Sequence, residues 1–214
     1  MGHHITNLIN QGEHQQLDFK YEVSDSQKLA RTLAAFSNTD GGTLLIGVRD
    51  NGSIRGIRSD EELYMVESAA HLFSKPKIEY ETKIWTIESK TVVEIIVPKG
   101  EKRPYYAKND EGLWRVYIRV KDENFLANRI LLEVWKREGR KKGTYLKLTT
   151  VEQKLLSYLE ETPKITIKEF CKLCSIPRRK AEYVLINLIS IKAISIEFTS
   201  SDIYYSLDRE NERG

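Results

Sequence analysis

Three stretches of the 214-residue chain have residue types and spacings that could do chemistry. In "SIPRRKAEYVLINLI" (Ser175–Ile189), Arg178, Arg179 and Lys180 follow Pro177 and precede an apolar stripe of Ala181, Val184, Leu185 and Leu188. Arginine grips phosphate and can read guanine bidentately, and the start of a recognition helix is where helix-turn-helix proteins present such side chains. In "LWRVYIRV" (Leu113–Val120), strict alternation sets Trp114, Val116, Ile118 and Val120 against Arg115, Tyr117 and Arg119. A basic-aromatic row suits phosphate contact and base stacking, although a solvated strand face or a sheet covered by a helix fits equally well. Lys20, Lys136, Arg137, Arg140, Lys141 and Lys142 could extend it. In "SNTDGG" (Ser37–Gly42), Asn38, Thr39 and Asp40 offer local hydrogen bonds, while Gly41 and Gly42 let the backbone turn sharply and approach a neighbour closely. That stretch reads as a helix end leading into a core strand, or as the turn of a small-ligand pocket.

Other signals are weaker or absent. Cys171 and Cys174 form C-x-x-C, but no second Cys or His pair stands nearby to complete four zinc ligands, so they fit one partly buried helix face. The phosphate-loop pattern G-x-x-x-x-G-K-S/T and the dinucleotide pattern G-x-G-x-x-G do not occur.

The elements that must position these residues follow from periodicity. Ser24-x-x-Gln27 is a capping-box pattern, and Leu29, Leu33 and Phe36 predict a helix that stops near Asn38. "TLLIGV" (Thr43–Val48) predicts a buried strand, "RDNG" a hairpin-type turn, and "SIRGI" the returning strand. A helix over about Asp60–Phe73, strands over Lys77–Ile87 and Thr91–Val97, and an amphipathic helix over Asn124–Glu138 complete this part. Helices and strands mix without a βα repeat, which predicts an α+β fold with a mixed or mostly antiparallel sheet and flanking helices.

Net charge is only +3, with 40% apolar and 30% charged residues, so a nucleic-acid signal must come from charge placement. The run Arg129–Lys147 holds seven basic residues against two acidic ones and marks a boundary. The expected organisation is a first domain over 10–138, a basic linker over 139–147 and a second domain over 148–208. "TVEQKLLSYLEE", "TIKEFCKLC" and "PRRKAEYVLINLISI" predict three helices, and "AISIEF" and "IYYSL" two strands. That order is a winged helix-turn-helix, followed by a tail "DRENERG" expected to be disordered. Two cysteines, no leader-like N-terminus and no long apolar run predict a soluble cytoplasmic protein without a membrane partner.

The segment "LDFKYEV…KLARTLAAFSNTDGGTLLIGVRDNGSIRGI", with "RPYYAKNDEGLWRVYIRV" later, closely resembles the Schlafen/AlbA-2 domain family over about Glu13–Phe125. The resemblance implies a nucleic-acid-associated domain, often joined to a winged helix. RNA-cleaving Schlafens hold a divalent metal on three carboxylates. By resemblance these positions are Glu13 and Asp18, before Phe19-Lys20, and Asp50 after the strand. Mg²⁺ or Mn²⁺ there could activate an attacking oxygen and stabilise phosphoryl charge. Nuclease Schlafens build a groove from two related lobes, and this chain carries one, so a comparable groove would need a homodimer. The leading expectation is a DNA- or RNA-binding protein, a DNA-binding transcriptional regulator. The alternatives are a metal-dependent endoribonuclease acting on structured RNA, and an effector-sensing domain with its pocket at Asn38–Gly42.

Overall fold

The computed structural model describes residues 3–139 and 148–208. Two compact units divide the chain after Ala127. The first runs α1 (His3–Gln11), β1 (Leu17–Lys20), α2 (Ser26–Asn38), β2 (Gly42–Ile46), α3 (Glu61–His71), β3 (Ser74–Lys75), β4 (Glu81–Ile87), β5 (Lys90–Val97), β6 (Tyr106–Lys108), β7 (Trp114–Val120) and β8 (Glu123–Leu126). The second runs α4 (Arg129–Glu138), α5 (Thr150–Glu161), β9 (Ile165–Thr166), α6 (Ile167–Cys174), α7 (Arg178–Ser190), β10 (Ile194–Phe198) and β11 (Ile203–Leu207). The α+β class expected from the pattern is the one observed. Among the described residues, no helix is long and apolar enough to cross a membrane.

The first unit holds two four-stranded sheets. One is mixed, in the order β1-β2-β5-β4, with β1 parallel to β2 and the other pairs antiparallel. The other, β3-β6-β7-β8, is antiparallel throughout. Helix α2 packs against both. Its Leu33, Ala34 and Phe36 share one core with Leu44, Ile46, Val93 and Ile95 of the mixed sheet and with Ala107 and Tyr117 of the other. The alternate residues Leu45 and Val92 join Leu17, Phe19 and Ile5 of α1 in a separate core. The mixed sheet is thus buried on both faces, which is why "TLLIGV" is an unbroken apolar run.

The end of α2 fixes how close its neighbours stand. Asn38 is fully buried; its Nδ2 donates to the carbonyls of Tyr105 and Tyr117, each at 2.8 Å, and its Oδ1 accepts from Tyr105 N at 2.7 Å. Gly41 turns the chain with φ +71°, and a Cβ there would meet Lys99 N and Val97 O at 2.8 Å. A Cβ on Gly42 would sit 2.4 Å from the buried Phe36 ring. The glycine pair therefore serves close packing.

Several boundaries differ from expectation, each for a local reason. Helix α2 is capped by Asp25, whose carboxylate accepts from Gln27 N and Lys28 N, and not by Ser24. The returning "SIRGI" segment is not a regular strand: it makes an isolated bridge between Val48 and Ile54, and the Arg55 and Gly56 amides both donate to Gly47 O. The helix expected over 124–138 begins at Arg129, because Asn128 accepts from Leu131 N as its cap while the preceding residues pair with β7. Helix α4 then packs Ile130 and Val134 against the core of the second unit, so the division falls eleven residues before the expected boundary at 138. α1, β3, β6 and β9 carry no strong sequence pattern and add to the elements that periodicity predicts. The basic linker from Arg140 to Lys147, with Lys141 and Lys142, and the tail from residue 209 lie outside the described residues.

In the second unit, α5, α6 and α7 enclose Leu155, Phe170 and Leu185, and β10 and β11 form a hairpin whose second strand pairs with β9. Capping boxes start α5 at Thr149/Glu152 and α6 at Thr166/Glu169. The amide and hydroxyl of Thr166 hold the Glu169 carboxyl below the usual carboxylate range.

Asn38→Ala is expected to destabilise the protein by about 2–4 kcal/mol, since it strands buried backbone groups. Gly42→Ala should cost roughly 1–3 kcal/mol through overpacking onto Phe36. Urea unfolding followed by circular dichroism measures both.

Candidate functional site

At the sheet-to-sheet contact of the first unit, four charged residues meet. Arg119 Nη2 donates to Asp18 Oδ1 at 2.9 Å, and both side chains are buried. Lys20 Nζ lies 2.7 Å from Asp18 Oδ2 and donates to Phe19 O at 2.8 Å. Glu13 Oε1 accepts from Phe19 N at 2.9 Å. Burial pushes the Glu13 carboxyl above the ordinary range, and sharing a hydrogen bond with Asp18 adds to the rise. The segment between Glu13 and Asp18 bends enough to bring these two acids side by side, held by a bridge between His14 and Leu17.

Asp50 is not with them. It is exposed on the turn after β2, with Arg49, Asn51 and Tyr21 around it. Among the described residues, no three His, Cys, Asp or Glu side chains form a group that could hold a metal ion. The donor set points the same way: Asp18 faces two cations of the protein itself, which compete for the oxygens a metal would need. The three carboxylates assigned by resemblance do not fit a shared divalent ion in this arrangement.

Strand β7 also departs from the expected alternation. Arg115 is exposed, but Tyr117 is 8% and Arg119 only 3% exposed. Both lie on the side that meets α2: the Arg119 guanidinium is 5.4 Å from the Phe36 ring centre, and Tyr117 belongs to the α2 core. Arg119 Nη1 also donates to Asn124 Oδ1 at 3.3 Å, and Asn124 donates to Thr32 Oγ1 at 2.9 Å. Of the row Arg115, Tyr117 and Arg119, one residue remains a surface cation. Lys20 is engaged with Asp18. Alternation marks two faces of a strand, and here a helix covers the face that carries the arginine.

The Asn38–Gly42 turn has most of its polar groups in use. Asn38 is satisfied as above, and Thr39 Oγ1 donates to Ala35 O at 2.7 Å. Asp40 accepts from Gln15 Nε2 at 3.2 Å and lies 3.5 Å from Lys99 Nζ. A cleft of about 380 Å³ opens beside Gly41 and Gly42, lined also by His14, Gln16 and Thr43.

The second unit keeps its basic turn. Helix α6 ends with Ser175 in the left-handed region at φ 52°, Pro177 precedes α7 as its cap, and Arg178, Arg179 and Lys180 form the first turn, all exposed. Ala181, Val184, Leu185 and Leu188 are buried, as the stripe predicts. Arg178 is partly neutralised by Glu182 at 3.1 Å, and Glu182 is also 3.5 Å from Arg129. Arg179 and Lys180 have no ion pair among the described residues. Tyr183 is exposed one residue before the stripe resumes, with the Arg137 guanidinium 5.8 Å from its ring centre. Cys171 and Cys174 are unbridged, and burial pushes the Cys174 thiol up.

A cluster that the sequence pattern did not single out lies after β1. The guanidiniums of Arg55 and Arg49 stand 4.0 Å and 5.2 Å from the centre of the Tyr21 ring, and Arg58 is 3.1 Å from Glu22. The arginines are spread across "RDNGSIRGIR", and only the turn brings them to one ring.

The sequence pattern described as Schlafen, AlbA_2 matches residues 13–128. Among solved structures, the DIP2311 protein from Corynebacterium diphtheriae is similar at 19% identity over 69% of this chain, with a TM-score of 0.46; the chain spans 33% of that protein's length. The N-terminal domain of a RecG-related protein from Nitrosomonas europaea is similar at 24% identity, covering 54% of this chain and 87% of that one, with a TM-score of 0.42.

Arg119→Met leaves Asp18 buried beside a single cation and is expected to destabilise the protein by about 3–5 kcal/mol, with partial recovery when Asp18→Leu is added. Glu13 binds its proton more tightly folded than unfolded. It therefore favours the folded state at low pH and opposes it as pH rises through its raised value. Glu13→Gln keeps the acceptor for Phe19 N, so its melting temperature should exceed the parent's near neutral pH, with the gap closing toward pH 4. A gap that stays constant with pH would contradict the assignment.

Proposed function

The chain belongs to the Schlafen AlbA_2 family, and from that premise we propose that it is a nucleic-acid-binding protein that contacts duplex DNA through the first turn of α7. The observation that carries this reading is the pair Arg179 and Lys180, exposed and without an ion pair among the described residues, at the start of a helix whose other side is core. We read residues 148–208 as a winged helix-turn-helix, on the order α5-β9-α6-α7-β10-β11 and the left-handed residue Ser175 in the turn between α6 and α7. In that reading α7 enters the major groove, Arg179 and Lys180 meet phosphates or base edges, and the β10–β11 hairpin flanks the backbone. Arg178 contributes less, because Glu182 already holds it. A two-unit chain of this kind suits a transcriptional regulator. RNA cleavage forms no part of the proposal, since Asp18 is held by Arg119 and Lys20, and Asp50 stands apart from Glu13 and Asp18.

Anisotropy of a labelled duplex, titrated over a range of salt, tests the reading. The parent should bind with a steep salt dependence. Arg179→Ala with Lys180→Ala should weaken binding about tenfold or more and lower the log–log salt slope by about 2. An unchanged slope would remove α7 from the interface.

A further inference from the structure

We propose that the depression beside Tyr21, on the first unit, is a site for an unpaired nucleotide of a single-stranded nucleic acid, separate from the α7 surface. The proposal deepens the nucleic-acid reading and rests on it for the class of ligand. The site opens to solvent with a volume of about 410 Å³ and is lined by Tyr21, Arg49, Asp50 and Asn51. The Tyr21 ring lines it, and the Arg55 guanidinium stands 4.0 Å from the centre of that ring, close enough for the two groups to be in contact. Aromatic rings and guanidinium planes are the surfaces on which unpaired bases stack.

Charge favours the same ligand. Arg49 is exposed and has no ion pair among the described residues. Arg55 and Arg58 share one carboxylate, Glu22, at 3.9 Å and 3.1 Å, and Arg55 Nη1 is a buried atom without a hydrogen-bond partner. Against these cations stand Glu22 and Asp50, so an excess of positive charge surrounds the ring.

The rim supplies both kinds of hydrogen bond. Asn51 Oδ1 is taken by Ser53 N at 3.0 Å and Ser53 Oγ at 2.8 Å, which fixes the amide and leaves Nδ2 as a donor. Asp50 offers acceptors one residue away, of the kind that take a base amino group. Arg49 and Asn51 are held on a turn closed by Arg49 N to Ser53 O at 3.0 Å and Gly52 N to Arg49 O at 2.7 Å. A phosphodiester would meet Arg49, and a base would lie on the Tyr21 ring.

The test uses the full chain and a labelled oligothymidylate, read by anisotropy beside a labelled duplex. Tyr21→Leu should weaken single-strand binding about tenfold while duplex affinity stays within twofold. Tyr21→Phe should restore binding, because the stack survives without the hydroxyl. Arg49→Ser should lower the single-strand salt slope by about 0.7. The Arg179→Ala, Lys180→Ala protein should keep single-strand binding, so a failure of the α7 reading leaves this result distinct. Unchanged single-strand affinity in a normally melting Tyr21→Leu protein would overturn the site. Displacement of the oligonucleotide by AMP at equal concentration would overturn the strand in favour of a mononucleotide.

Discussion

One buried guanidinium joins the two sheets of the first unit. Arg119 extends from β7 across the end of α2 to Asp18 on β1, and both side chains are almost wholly removed from water. Two charges in such a place are tolerated only when paired and hydrogen-bonded, because each is expensive to desolvate alone. The pair therefore constrains everything near it. The Phe36 ring lies by the guanidinium, Asn124 and Leu17 supply it with acceptors, and Lys20 balances the second oxygen of Asp18. Asn38 ties the same helix end to β7 from the other side.

This constraint redistributes function. Residues used to close the fold are not free to meet a ligand, and that removes Tyr117, Arg119 and Asn38 from the exposed surface chemistry of the chain, whereas Lys20, paired with Asp18, keeps its side chain 40% exposed. Among the described residues, exposed cations without an ion pair include Arg49 on the first unit's hairpin-type turn, and Arg179 with Lys180 at the start of α7. Both sets stand on short, hydrogen-bonded turns, which hold long side chains at a fixed root and leave their heads in solvent.

Much of the framework could be read from the sequence because local pattern and tertiary role agree. The stripe Leu29, Leu33 and Phe36, the run "TLLIGV" and the stripe of α7 each report the face that is buried. Agreement fails where one residue answers to two demands. Alternation in β7 places Arg119 opposite the apolar residues, but it says nothing of α2 covering that face. The Asn-rich stretch before Arg129 continues a helical period, yet Asn124 and Asn128 are recruited by hydrogen bonds that end the strand and start the helix. Glu13 and Asp18 do converge through a bend, whereas Asp50 is carried off by the turn that follows β2. The Tyr21 cluster is invisible in sequence because its arginines are spaced by the geometry of that turn, with no period of their own.

Whether the first turn of α7 meets DNA can be read residue by residue. The most direct measurement is an amide-resolved NMR titration of the full chain with a duplex. The largest shifts are expected at Arg178–Tyr183 and along β10–β11, with the buried stripe of α7 little changed. Saturable duplex binding whose shifts leave Arg178–Tyr183 untouched would contradict it.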